Sequence, residues 1–339
     1  MKKLLNEPER YTDEMIEGLL AANPDSLRQL EDTRVILRAA APVAGKVGIV
    51  TGGGTGHEPA SSGLVGPGML DGVTLGDVFT APPADGISEM IPECDGCEGV
   101  LAVIGNYDGD IMNFEAAMEI VEAEHDIDTE TVVVADDVAT RSTSGGARGV
   151  CGMVLVHKVA GAKAMQDASL KEVATTTRKA ADRVATMGVG LTSCVTPQKG
   201  TPTIDLGPDE MEVGIGNHGE PGVERTELMD ADDVTDRLTD AVLADLDIES
   251  GARVATMVNG MGATPLGELY IVNRRLQTLL SDRDITTEQA WVGEYTTSLD
   301  MAGCSIVVME LDDELASLIN APADSPGLTV AGNQAESHE

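Results

Sequence analysis

Aromatic side chains are nearly missing from this 339-residue chain: it has one Trp, four Tyr and two Phe. With 42 % apolar residues in all, its cores must be filled by Val, Ile, Leu, Met and Ala. Basic residues are scarce too. Only 22 Lys and Arg stand against 58 Asp and Glu, a formal net charge of −36. A surface this acidic repels nucleic acid and anionic lipid, which argues against DNA, RNA and membrane headgroups as partners. The charge is spread along the chain and Arg outnumbers Lys. This points to a cytoplasm of very high salt, where the Debye length falls to roughly 3 Å and self-repulsion is screened. We therefore assign the charge to habitat rather than to function.

Long apolar runs are also absent. No stretch reaches the roughly 18 residues of a membrane span. The N-terminal MKKLLNEPERYTDEM has too short an apolar core for a signal peptide. The expectation is a soluble, cytoplasmic protein. Five scattered cysteines, an odd number, argue against a disulfide framework. Cys94 and Cys97 form a lone CxxC with no second pair of soft ligands nearby, so it reads as a surface loop and no metal site is expected.

What remains is an alternation of strand and helix. Residues 46–52, 99–106 and 131–138 read as short buried strands, and 110–124, 150–167 and 169–187 as helices. A second unit starts near Gly188, with strands at 190–195, 201–206, 211–216, 253–259, 290–296 and 305–311 and helices at 232–246, 266–280 and 313–319. The length suits two α/β domains, 1–187 and 188–330, with mainly parallel or mixed sheets covered by helices, followed by a polar tail at 331–339. In such folds ligands bind outside the carboxyl ends of strands, so the loops after strands are where chemistry belongs.

Four such stretches stand out. TGGGTGHEP, Thr51 to Pro59, follows a strand, and Pro59 suits the first turn of a helix. It resembles a phosphate loop but has neither the Lys-Ser/Thr of a Walker A motif nor GxGxxG spacing. His57 within it is either a solvent-facing helix-start residue or a ligand contact. GNYDGDIMNF, Gly105 to Phe114, places Asp108 and Asp110 at a strand mouth, as helix caps or as a general base. DDVATRSTSGGARGVCG, Asp136 to Gly152, reads as a flexible loop, and His157 beyond it as a helix-packing histidine. VGIGNHGEPG, Val213 to Gly222, sets His218 among glycines, where core packing cannot explain it.

Taken together, these stretches resemble the dihydroxyacetone kinases, specifically their substrate-binding K subunit. GGGTGHEP, NYDGDIMNF, RGVCG with VHKVAGAKA, GNHGEPG, NGMGATPLGELY, TSLDMAG and DDELASLINAPADSPG fall in family order from about Lys2 to Leu328. The resemblance implies that His218 adds to the substrate ketone through a ring nitrogen, forming a hemiaminal that glycerol, lacking a carbonyl, cannot form. A neutral imidazole has the lone pair for this, and glycines leave room for a tetrahedral adduct. Asp110 matches the catalytic aspartate, which takes the proton of the hydroxyl attacking phosphorus, and His57 the histidine that hydrogen-bonds substrate. Gly53, Gly54, Gly105 and Ala81 fall at substrate-contact positions, and Glu220 is a candidate to orient the His218 ring.

The resemblance also implies partners. This chain binds no cofactor of its own. A separate all-helical L subunit would carry ATP, or ADP with Mg rephosphorylated by an M-type phosphotransferase protein, and the K chain would form a homodimer. Two positions depart from the family pattern. Gly105 stands where a lysine is usual, and Ala81 where many members have serine. Both shrink side chains near the expected pocket, which opens a four-carbon ketose such as erythrulose as an alternative substrate. A ketose-sensing regulator is a further alternative, and the retained Asp110 argues for the enzyme. A nucleotide-binding oxidoreductase is excluded for want of a dinucleotide fingerprint.

Overall fold

The structure, a computed structural model, describes residues 2–332. Most of the polar tail at 331–339 lies outside them.

The first sheet holds β1 (Leu27–Gln29), β2 (Val35–Arg38), β3 (Gly48–Thr55), β4 (Gly72–Val78), β5 (Val100–Gly105) and β6 (Thr129–Val134), in the order β1-β2-β4-β3-β5-β6. The pairs β4–β3, β3–β5 and β5–β6 are parallel, and β1 and β2 add an antiparallel edge. Around it lie α1 (Tyr11–Ala22), α2 (Ala84–Cys94), α3 (Asp108–His125), α4 (Met153–Ala164) and α5 (Leu170–Asp182). The second sheet comprises β7 (Val184–Gly190), β8 (Glu210–Val213), β9 (Glu224–Glu227), β10 (Arg253–Gly260), β11 (Thr286–Gly293) and β12 (Gly303–Leu311), ordered β11-β10-β12-β7-β8-β9. Only β10–β11 is parallel in it. It carries α6 (Ala231–Asp245), α7 (Leu266–Asp282) and α8 (Asp313–Ile319), and a small hairpin of β13 (Ala323–Asp324) and β14 (Thr329–Val330) follows.

Helix α4 joins the two halves. Ten of its twelve residues are buried. Its Leu155, Val156 and Val159 share one core with Leu101 and Val103 of the first sheet and Met257, Val307 and Met309 of the second. A helix that is buried on nearly every side has little solvent face, and an interior between two sheets is where it is stable. The core contains almost no aromatic rings; branched aliphatics and Met fill it.

Several expected elements differ. The helix expected over 169–187 ends at Asp182, and Val184 opens β7 in the second sheet, four residues before the division at Gly188. Every residue of β7 is buried, and a short, wholly buried strand has no alternation to separate it from a helix end. Residues 190–195 and 201–206 are not strands beyond Gly190 and share only an isolated bridge, Val195–Pro202. Pro197 and Pro202 cannot donate to a ladder, and Gly200 turns the chain at φ +65. No helix begins at Pro59. Its peptide bond is cis, and β3 runs on to Thr55, so Gly52, Gly53 and Gly54 lie in the strand itself.

The topology places a crevice between the strand ends of β3 and β5. From β3 the chain crosses to β4 on one side and then returns to β5 on the other, which makes β3/β5 the switch point. Their pairing stops at Val50–Ala102. Beyond it the Val103 carbonyl accepts from Thr51 Oγ1 (2.7 Å) and from His157 Nε2 (3.2 Å) instead of from a ladder amide. The strands part there, and α4 closes the gap from one side.

Candidate active site

A cavity with about 580 Å³ of atom-free space, its open mouth included, fills this crevice. Gly53 and Gly54 come to it from β3, Gly105 from the end of β5, Asp110 from the first turn of α3, and His57 from the turn after β3. His218 arrives from the second half of the chain, on the loop after β8. Ala81 does not join them. The chain leaves β4 through Phe79 at φ +59, which turns the Phe79 ring toward His218 and leaves Ala81 in another recess with Thr80 and Pro83.

His218 is held by its own loop. Its Nδ1 lies 2.8 Å from Glu220 Oε1, and its backbone N–H donates to Glu220 Oε2 at 3.0 Å. A carboxylate only accepts, so Nδ1 carries a proton, and whenever the ring is neutral the lone pair is on Nε2. Burial pushes the Glu220 carboxyl up, but the hydrogen bonds and charge of His218, with Arg148 beyond, outweigh it and hold the group at about 2. Gly216 makes the arrangement possible: a Cβ there would stand 2.0 Å from Glu220 Oε2. Arg148, 3.8 Å from that oxygen, also donates to Asp137 (2.7 Å) and to the Gly214 carbonyl (3.0 Å).

Three rings surround His218. The centroids of His57 and Phe79 lie 5.1 Å away and that of Tyr107 5.2 Å away, all edge-on, while Phe79 stacks on His57 at 4.8 Å. A chain with so few aromatics thus sets two of them against one histidine. They pack against the ring and shield part of it without adding charge.

The acid–base groups across the cavity are tuned by burial. His57 donates from Nδ1 to the Thr297 carbonyl (2.8 Å), which leaves Nε2 as an acceptor. Burial first, and the neighbouring His218 second, lower its pKa to about 3, so the ring is neutral at pH 7. Asp110 does not cap α3. That helix begins after Tyr107 with no side-chain cap, and Asp110 Oδ1 is buried without a hydrogen-bond partner among the described residues. Burial raises the Asp110 carboxyl to about 6 against the pull of His218. Such a group is ionised at pH 7 yet basic enough to take a proton, as a general base must be. Asp108 beside it is exposed.

The 136–152 segment, which reads as a flexible loop, is pinned at its ends. Buried Asp136 accepts from the Val150 and Gly152 amides and from Thr186 Oγ1. Gly149 and Val150 then form part of the cavity wall. Sequence reasoning missed Tyr107, Phe79 and Arg148. Tyr107 could have been found, since it lies inside the GNYDGD stretch. Arg148 likewise opens the RGVCG stretch, and Phe79 closes the GDVF stretch at the end of a strand. Gly105 leaves less space than expected, because a Cβ there would lie 3.2 Å from both Met153 Sδ and the Tyr107 ring.

Residues 17–327 match the Dak1 domain family. The chain belongs to that family. The Dak1 chain is 43 % identical over 328 residues to the dihydroxyacetone-binding subunit DhaK of a PTS-dependent dihydroxyacetone kinase of Listeria innocua, covering 96 % of this chain and 99 % of that one. It is 38 % identical to a D-erythrulose kinase of Mycolicibacterium smegmatis, covering 96 % of this chain and 56 % of the relative. Its fold matches the crystal structure of the dihydroxyacetone kinase of C. freundii with a TM-score of 0.89 at 29 % identity, over 97 % of this chain and 60 % of that one. The chain is thus a DhaK-like member of a kinase family, with a mixed α/β fold. No described helix is long and apolar enough to cross a membrane.

Proposed function

We propose that this chain is the substrate-binding subunit of a dihydroxyacetone kinase and that it holds its ketone covalently on His218. The observation that carries this reading is the His218 ring: Nδ1–H tied to Glu220, Nε2 left as a lone pair, and neutral His57 and basic Asp110 lining the same cavity. Nε2 adds to the carbonyl carbon, and the carbonyl π pair moves to oxygen. The oxygen takes up a proton and Nδ1 gives one up, so the product is a neutral hemiaminal. Glu220, anionic at neutral pH, stabilises the imidazolium character that develops as the bond forms. His57 Nε2 accepts a hydrogen bond from a substrate hydroxyl. Asp110 takes the proton of the hydroxyl that attacks phosphorus. The phosphoryl group comes from a nucleotide on a separate L-type subunit, or ultimately from a phosphotransferase protein, and this chain supplies position and charge balance. In this reading the K chain is a cytoplasmic homodimer, and its charge is an adaptation to high salt.

The second reading is a four-carbon ketose kinase. The similarity to the D-erythrulose kinase favours it. One experiment addresses both. Intact-protein mass spectrometry under gentle ionisation, on protein equilibrated in high salt with dihydroxyacetone, erythrulose or glycerol, should show an added mass with a ketose and none with glycerol. The mass should vanish in His218→Ala, and the better-retained ketose names the substrate. No adduct with either ketose refutes covalent binding.

A further inference from the structure

Asp110, His157 and Thr296 all line the site cavity, and each carries a buried side-chain atom with no hydrogen-bond partner among the described residues: Oδ1, Nδ1 and Oγ1 respectively. Buried polar atoms are paired in almost all folded proteins, so three in one cavity mark where a ligand's polar groups go. Asp110 already has a role. His157 does not. It is 2 % exposed, on a helix whose other buried residues are mostly apolar. Packing alone does not account for it, since an apolar side chain of similar size would fill the space without an unmet acceptor.

The chemistry of that atom is fixed by its other nitrogen. His157 Nε2 lies 3.2 Å from the Val103 carbonyl. A carbonyl only accepts, so Nε2 carries the proton and Nδ1 is a bare acceptor. Burial lowers the pKa of the ring to about 4 and keeps it neutral. Val103 is two residues below Gly105 in β5, about 6–7 Å down the strand from the mouth where Asp110 stands. The cavity therefore has a proton acceptor anchored at its floor as well as one at its rim.

We propose that His157 is a specificity-determining residue: its Nδ1 accepts a hydrogen bond from the ketose hydroxyl that is not phosphorylated, on the far side of the carbonyl from Asp110. This deepens the ketose-binding reading and rests on it. The substrate class follows. It is a polyhydroxy ketone with a hydroxyl on each side of the carbonyl. A ketone with one hydroxyl leaves a buried acceptor unmet and binds more weakly.

The test compares dihydroxyacetone with hydroxyacetone, which lacks one hydroxyl, by titration calorimetry in high salt. The wild-type protein should prefer dihydroxyacetone by about tenfold or more. In His157→Leu that ratio should fall to about one. His157→Gln, whose amide can donate to Val103 and still offer an oxygen, should recover most of it. A Leu variant that folds, by circular dichroism, and keeps the wild-type ratio overturns the proposal. If the Leu variant does not fold, the wild-type ratio decides, and a value near one overturns the proposal alone. Wild-type protein that binds neither ketone refutes the ketose reading and this inference together.

Discussion

The two halves of the site set their proton affinities by opposite means. On the first-sheet side, His57 and Asp110 are moved by burial, each toward its neutral form: the imidazole down to about 3 and the carboxyl up to about 6. On the second-sheet side, Glu220 is moved toward its charged form, down to about 2, because hydrogen bonds from His218 outweigh its burial. Two carboxylates that face the same histidine thus end up about four units apart, one a base and one a fixed anion. This division suits a reaction that must hold one imidazole in one tautomer while moving a proton elsewhere.

The comparison breaks most visibly at Asp110. Asp110→Asn should lower kcat by about 10²- to 10⁴-fold, the usual worth of a general base, while the adduct on His218 still forms. In the wild type, kcat should rise with pH through about 6 as Asp110 ionises, and steady-state assays with the L-type partner will show that limb. Normal turnover by the Asn variant would remove Asp110 from the mechanism.

The other side should break next. Gly216→Ala puts a Cβ where Glu220 Oε2 lies and must displace the carboxylate. Loss of such an orienting partner weakens a histidine's function about 10- to 100-fold in metal sites, and a loss of that order is expected in ketose affinity. Calorimetry on the folded variant reads it, and unchanged affinity would show that Glu220 does not orient the ring.

Stability against pH sharpens the contrast, because the two carboxylates carry opposite signs. Glu220, its folded pKa depressed, contributes stability in full above the unfolded value of about 4.3, and this is lost as pH falls through about 2. Asp110, its folded pKa raised, is a burden at pH 7 that disappears below the unfolded value of about 3.9. Denaturant midpoints should therefore place Glu220→Gln below wild type and Asp110→Asn above it at pH 7. Both differences should shrink in acid. Shifts of the same sign would refute the division between burial and pairing.

The smallest effect lies on the acidic surface, away from the site. Arg275 pairs through two bonds with Asp236, between α6 and α7, beside the Arg274–Asp232 and Arg283–Asp240 pairs. Arg275→Ala should shift the denaturant midpoint only slightly, as loss of an exposed pair does, and the shift should shrink as salt rises.

Much of this was legible locally. Glycine-framed histidines at 57 and 218 and an aspartate just past a strand mark the reactive groups, because a ligand must be reached by bare backbone and unshielded side chains. The strands with clear bounds, such as β5 and β12, were also readable. The unread parts are non-local. The run through 184–187 looks helical until a second sheet claims it, and Ala81 looks like a site residue until the turn at Phe79 carries it elsewhere. His157 reads as packing on any helical wheel. Only the parting of β3 from β5 turns its second nitrogen into an open acceptor.

By itself, then, the sequence determined the family, the α/β class, the candidate site residues and an aliphatic core forced by the lack of aromatics. The tertiary structure decided which of those side chains share a cavity, which nitrogen of each histidine carries the proton, and which carboxylate is base and which is anchor. The reason is physical: residue type fixes what a group can donate or accept, while burial and hydrogen-bond partners, set for His57 and His157 by segments far apart in the chain, fix the state it is in.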